Sequence, residues 1–346
     1  MAQTVLGPVE SATLGPTSTH EHLLIDFICM FTPPSEASEK HKAYQPVALE
    51  NLGWVSYNPF RNHDNLLLLD IETAISEAML FKRAGGGTIV DATTIGIGRD
   101  PKALAGIARA TGLNVVMGAG YYVDAVHPED MNDKTEADVA QEIVAEITTG
   151  VDGTGIKAGI IGEIGCSWPL TDNERKVLMG AARAQRETGA PILVHPGRNE
   201  AAPFEVLDIL GEAGAAIDRV VMSHIDRTIQ DEGLLLEFAR RGCYLEYDLF
   251  GWETSYYPLS PIDMLSDAQR IDYVKLLVDE GYGSRVVLAH DIFSKHKLTR
   301  YGGHGYGHIL ENIVPRLHEK GLTEDQVDAL IVENPAGILT FVEGEA

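Results

Sequence analysis

The chain of 346 residues is poor in cysteine and in positive charge, and it lacks any long apolar run. Its cysteines, Cys29, Cys166 and Cys243, stand far apart with no CxxC pair. That excludes a zinc ribbon or a dithiol redox motif and suits a reduced compartment. Lysine and arginine number 27 against 51 aspartates and glutamates, a net charge of −24. Such a field repels phosphate backbones and anionic headgroups, so neither nucleic acid nor membrane is an expected partner. Apolar stretches such as residues 66–69 fall far short of the roughly 20 residues that cross a bilayer. Residues 1–13 show no basic patch followed by an apolar stretch, so no signal peptide is expected and the expected location is cytoplasmic. What remains is ordinary for a globular chain with a sizeable core: 45% hydrophobic and 23% charged residues.

Short Val/Ile/Leu-rich runs recur at residues 88–90, 114–117, 157–161, 191–194, 219–222, 243–247 and 285–289, with a first strand near 14–21. Continuous apolar runs, rather than alternation, suit parallel strands covered on both faces. Helical patterns fill the gaps. Asp100 before Pro101 reads as a cap with proline at the first helical position, and Thr171 with Glu174 as a capping box. Gly85, Gly112, Gly189 and Gly281 supply helix stops shortly before the next strand. Eight strand-helix units predict an α/β fold, a single (β/α)8 TIM barrel. A doubly wound sheet, the alternative, would show a glycine-rich turn after its first strand; here that position reads Thr19-His20-Glu21-His22. Residues 23–63 hold Pro33-Pro34, Pro46 and Pro59 without clear periodicity, and a loop this long is expected to lie over the barrel mouth. No repeat or linker divides the chain, which predicts one domain over residues 1–346 with a helical tail at 324–341.

His20 and His22, two apart on a strand, point to one face and could share a metal. With 12 histidines, chance alone supplies about 0.4 such pairs, so the pair is weak by itself. Glu21 between them should face away. The signal strengthens because Glu163, His195, His224 and Asp291 each stand at or just past the carboxyl end of another apolar strand, where barrel active sites converge. Five strand ends that all present metal-binding side chains are hard to explain as independent accidents. The set divides into His20, His22 and Asp291 for one ion, His195 and His224 for a second, and Glu163 between them. Imidazole and carboxylate donors suit two divalent ions, zinc by default, with manganese, cobalt or nickel also fitting, and argue against calcium. A water between two cations sheds its proton at neutral pH, so hydrolysis follows.

Thr19-His20-Glu21-His22, the run Gly159 to Gly165, Val194-His195-Pro196, Ser223-His224-Ile225-Asp226 and Ala289-His290-Asp291 resemble the metal motifs of the phosphotriesterase family of the amidohydrolase superfamily. The likeness extends through Asp91-Ala92-Thr93-Thr94 and Gly98-Arg99-Asp100 to Tyr301-Gly302-Gly303-His304-Gly305-Tyr306 and Glu333-Asn334-Pro335, covering nearly the whole chain. The resemblance implies a binuclear barrel hydrolase and a homodimer. Members that cleave organophosphates bridge their metals with a carboxylated lysine; here Glu163 stands in that place, as in an animal branch of the family. Phosphotriesterase activity is therefore not carried over, and what that branch implies is hydrolysis of N-acetyltaurine to taurine and acetate.

The expected reaction is cleavage of a small anionic N-acyl substrate, with Glu163 and Asp291 as the catalytic carboxylates and Asp291 as proton shuttle. Arg198 and Arg227, each three residues past a histidine ligand, could hold a sulfonate or carboxylate tail. Trp168 and Tyr121 could wall the acyl pocket, and Asp226 could orient a histidine. A lactonase or phosphoesterase using the same metals is the alternative, and a non-enzymatic binding protein is a third reading.

Overall fold

The computed structural model describes residues 1–254 and 256–344. Its frame is an eight-stranded parallel sheet in sequential order: β1 (Thr17–Glu21), β2 (Thr88–Asp91), β3 (Asn114–Ala119), β4 (Ile160–Gly165), β5 (Ile192–His195), β6 (Val220–Met222), β7 (Tyr244–Tyr247) and β8 (Val286–Leu288). The first and last strands meet: the Thr19 hydroxyl donates to the Leu288 carbonyl at 3.2 Å, and the Asp291 N–H to the His20 carbonyl at 3.1 Å. The sheet is thus rolled into the expected (β/α)8 barrel. Every predicted strand is present, although β4 starts at Ile160 and leaves Lys157 outside it.

Burial on both faces explains the continuous apolar runs. Val90, Val116, Leu193, Val221 and Val287 fill the interior, with Ala2 and Ile338 packed beneath them. Their neighbours Ile89, Val115, Ile192, Val220 and Val286 face the surrounding helices. The floor is closed by an antiparallel hairpin of Ala2–Thr4 with Gly7–Val9 and by the C-terminal helical segment, Glu324–Asp328 continuing to Asn334–Leu339. Such a plugged floor leaves the carboxyl ends of the strands as the open end.

The local signals are also realised. Asp100 accepts the Ala103 N–H, Thr171 and Glu174 form a reciprocal box, and Gly112 and Gly189 end their helices in the left-handed conformation. The segment after β1 folds into short helical turns, and Ile25–Asp26 pairs with Leu67–Leu68 before the helix Ile71–Arg83. It lies over the mouth as expected, because Phe27 and Phe60 line the cavity there. No helix among the described residues is long and apolar enough to cross a membrane.

Candidate metal centre

The residues picked out at the strand ends converge at the open end of the barrel, all of them buried. His20 lies in β1 and His22 just past it, on the same side. His195 closes β5, in phase with the inward Leu193. Glu163 and His224 are out of phase with the alternation of their strands. A register shift between Ile161 and Ile164 turns Glu163 inward. His224 is turned by a left-handed backbone at φ +55°, fixed by its N–H donating to both Asp248 carboxylate oxygens at 3.1 Å. Asp291, at φ +49°, is likewise left-handed. Such conformations cost roughly 1–3 kcal/mol and persist where the surroundings hold them.

Glu163 stands at the centre. Its Oε1 lies 3.3 Å from His22 Nε2, whereas Oε2 lies 3.5 Å from His20 Nε2, 3.1 Å from His195 Nδ1 and 3.8 Å from His224 Nε2. Asp291 Oδ1 approaches His22 Nε2 at 3.3 Å and His20 Nε2 at 3.9 Å. One carboxylate therefore faces His22 with one oxygen and His20, His195 and His224 with the other, lying between the His20–His22–Asp291 and His195–His224 groups. His195 Nδ1 and His224 Nε2 are themselves only 2.9 Å apart.

The outer nitrogens fix which atoms point inward. His20 Nδ1 faces Asp248 at 3.1 Å and Glu246 at 3.2 Å; His224 Nδ1–H donates to Asp248 at 2.9 Å. His22 Nδ1–H donates to Thr93 Oγ1 at 2.9 Å, whose own hydroxyl donates to the Leu24 carbonyl. All three rings thus offer Nε2 lone pairs to the centre. His195 is reversed, with Nδ1 inward and Nε2 beside the Arg227 guanidinium at 3.2 Å. His20 Nε2 is a buried nitrogen without a hydrogen-bond partner among the described residues. An orphaned imidazole nitrogen aimed at two carboxylates is what a cation site requires, and the donor set fits divalent ions. Among the described residues three three-residue groups, His20–His22–Glu163, Glu163–His195–His224 and His20–His224–Asp248, each bring one ligand atom per residue within 4.8 Å of the others.

The electrostatics agree. Burial alone would depress the His20 and His22 imidazoles, yet the carboxylates of Glu163, Asp248 and Asp291 raise His20 well above its ordinary value and His22 to about 9. Burial likewise favours neutral carboxyls, but the histidines hold Glu163 well below the usual carboxylate range and lower Asp291 as well. His195 is pushed well down by burial and then by the neighbouring His224 and Arg227. The centre is a nest of carboxylates seeking positive charge.

Asp248 and Glu246, two apart at the end of β7, escaped the strand-end reading, although their i, i+2 spacing carries the same signal as His20 and His22. The orienting role expected of Asp226 belongs to Asp248. Asp226 instead accepts from Arg270 Nε at 2.8 Å and the Leu249 N–H at 3.0 Å. Glu21 faces away from the centre, as expected, and binds the β8 turn.

A narrow cavity opens beside the centre, lined by His22, Glu163, His195, His224 and Asp291 together with Phe27, Phe60, Tyr122, Trp252, Tyr257 and Phe293. Arg198 and Arg227 line it too. Arg198 Nε donates to the Tyr257 hydroxyl at 2.7 Å, and Arg227 donates to the Pro196 carbonyl at 3.2 Å. Among the described residues neither is paired with a carboxylate. Two expectations fail here. Trp168 is 40% exposed and lies outside the cavity. Tyr121 points outward, its hydroxyl bonded to Glu142 and Lys134, because it keeps the outward phase of Val115, whereas Tyr122 has the inward phase of Val116 and is the ring that lines the cavity. The aromatic wall comes instead from the loop over the mouth and from the segments after β7 and β8.

The sequence profile of the phosphotriesterase family matches residues 1–339. Among curated proteins, N-acetyltaurine hydrolase of Bos taurus is 52% identical over 341 residues, covering 98% of this chain and 97% of that protein; the Homo sapiens protein of that name is 50% identical with the same coverage. Among solved structures, a resiniferatoxin-binding protein from Rhodobacter sphaeroides superposes with a TM-score of 0.95 at 40% identity, covering 99% of this chain and 96% of that one. A lactonase from Listeria monocytogenes superposes with a TM-score of 0.80 at 26% identity, covering 99% of each chain. A barrel of sequential parallel strands, a histidine-carboxylate centre at its open end and a profile match from end to end lead to one assignment: the chain belongs to the phosphotriesterase family.

Proposed function

We propose that this protein hydrolyses a small anionic N-acyl substrate, N-acetyltaurine above others, to taurine and acetate at a centre of two divalent ions. The observation that carries the proposal is the double-facing Glu163, with Oε1 3.3 Å from His22 and Oε2 3.1 Å from His195, beside two arginines with no carboxylate partner among the described residues. The curated relatives named N-acetyltaurine hydrolase support the choice of substrate.

His20, His22 and Asp291 would hold one ion, His195 and His224 the other, and Glu163 would be shared. When bound, the pair supplies a Lewis acid for the acyl oxygen and a water acidic enough to act as nucleophile at neutral pH. The protein does the rest. Asp291 accepts the proton from the attacking water and delivers it to the departing amine nitrogen as the C–N bond breaks. Arg198 and Arg227 pair with the sulfonate through charge-assisted hydrogen bonds. Phe27, Phe60, Trp252 and Phe293 enclose the acyl group and exclude water. A glutamate carries its own carboxylate, so the shared ligand needs no modification by carbon dioxide. Zinc is the expected metal, in keeping with open sites of imidazole and carboxylate.

The test is release of taurine from N-acetyltaurine by purified, zinc-loaded protein, run beside N-acetylglycine, a lactone and a phosphotriester. Turnover highest on N-acetyltaurine is expected. Turnover confined to the lactone or the phosphotriester would replace this reading with an esterase of the same centre.

A further inference from the structure

Asp291 must hold a left-handed backbone at φ +49° while presenting its carboxylate to the centre. For a residue with a Cβ that conformation is sparsely populated, so its surroundings have to impose it. They do so from both sides. Glu21 Oε1 accepts the His290 N–H at 3.1 Å, and Oε2 accepts the Ile292 N–H at 3.0 Å, so one carboxylate grips the residues flanking Asp291. The Ser18 hydroxyl donates to Glu21 at 2.6 Å and keeps it aimed. From the other side Lys297 Nζ donates to the Asp291 carbonyl at 2.8 Å.

Lys297 is an expensive residue for that place. It is buried, it makes no ion pair among the described residues, and burial, the largest influence on it, holds its ammonium down to about 8. An apolar side chain would fill the same space without desolvating a charge. The ammonium instead sits 4.5 Å from the Trp252 ring centre and 4.4 Å from that of Phe293, within cation–π range of two rings that line the cavity. Its two predecessors hold the loop over the mouth: Lys295 pairs with Asp64 at 2.7 Å, and the His296 N–H donates to Asn65 Oδ1 at 2.9 Å. Residues 295–297 therefore bind that loop on one side and the Asp291 turn on the other.

We infer that Lys297, working against Glu21, is a positioning residue that sets the Asp291 turn and ties it to the aromatic wall of the cavity and to the loop above it. The inference rests on the hydrolase reading for the role of Asp291, and the following measurements separate the two.

Lys297→Met keeps an unbranched side chain one atom shorter and removes the charge; Lys297→Arg keeps a cation and a donor. Both are loaded with zinc and compared with wild type for kcat and KM on N-acetyltaurine, and for zinc retained against graded chelator without substrate. Misplacement of a reacting group by about 1 Å can cost on the order of 100-fold. The expected result for Lys297→Met is a kcat about 10- to 100-fold lower with KM within about threefold, and earlier loss of zinc. Lys297→Arg should recover kcat to within about tenfold of wild type. Asp64→Asn, at the outer end of the same segment, guards against a Lys297→Met protein that fails to fold, and should lower kcat by about threefold. The inference is overturned if Lys297→Met matches wild type in both kcat and zinc retention, or if the Met and Arg variants lose kcat equally. With no folded Met variant, an Asp64→Asn protein of unchanged kcat also overturns it. A wild-type protein without amidase turnover contradicts the hydrolase reading instead, and the zinc-retention comparison still decides the role of Lys297.

Discussion

Replacing Asp248 with asparagine should loosen both metal positions at once. A single carboxylate here orients one histidine of each proposed ion: it faces His20 Nδ1 at 3.1 Å and accepts from His224 Nδ1 at 2.9 Å, and it also receives the His224 N–H. Burial would raise its pKa, but the two imidazoles hold it far below the usual carboxylate range, so it is charged whenever they need an acceptor. An amide in its place offers one acceptor instead of two and turns an N–H toward a ring that is itself a donor. Loss of such an orienting partner typically weakens metal binding about 10- to 100-fold, or roughly 1.4–2.7 kcal/mol for each ion. Glu246→Gln is the matched control, because among the metal-site histidines Glu246 faces His20 alone, at 3.2 Å. Metal content after dialysis against graded chelator, with circular dichroism to confirm folding, should show two ions lost early from Asp248→Asn and one from Glu246→Gln. Wild-type retention of both ions in folded Asp248→Asn, or loss of only one, would refute the reasoning.

Three further outcomes are expected. Glu163→Gln removes the shared charge and should lower both metal content and turnover by more than about 100-fold, a larger loss than an orienting residue gives, as read by elemental analysis and a taurine-release assay. Arg227→Met and Arg198→Met should each raise KM for N-acetyltaurine by roughly 10- to 100-fold while leaving kcat within severalfold, since a hydrogen bond to a charged group contributes about 1.5–3 kcal/mol; an unchanged KM in both would remove the anion-binding role. The His296 ring is held down to about 3 by burial and then by the Lys297 charge, so below pH 6.5 the unfolded chain takes up a proton that the folded one refuses. Stability is thus full above pH 6.5 and should fall by up to about 1.4 kcal/mol per pH unit from this group as pH drops toward 3. Denaturant titrations of wild type and His296→Asn at pH 7 and pH 5 should show a shallower loss in the variant.

Much of this was legible in the sequence because burial on both faces leaves a plain mark. Runs such as Ile192-Leu193-Val194 announce barrel strands, and an ionisable residue ending such a run announces the open end. What was not legible depends on backbone departures from strand alternation. Glu163 and His224 reach the centre only through a bulge and a left-handed turn, whereas Tyr122 rather than Tyr121 follows from plain alternation with the inward Val116 and could have been read from the strand. Asp248 and Glu246 could have been found from their spacing. Lys297 could not, since its partners Asp291, Trp252 and Phe293 are brought together by loops that carry no periodic signal.

The central claim is that one glutamate is shared by two cations, and anomalous diffraction from crystals of the metal-loaded protein tests it most directly. Two peaks about 3.5–4 Å apart, one against each oxygen of Glu163, are the predicted result. A single peak, or two peaks that leave Glu163 bound to neither, would contradict the account.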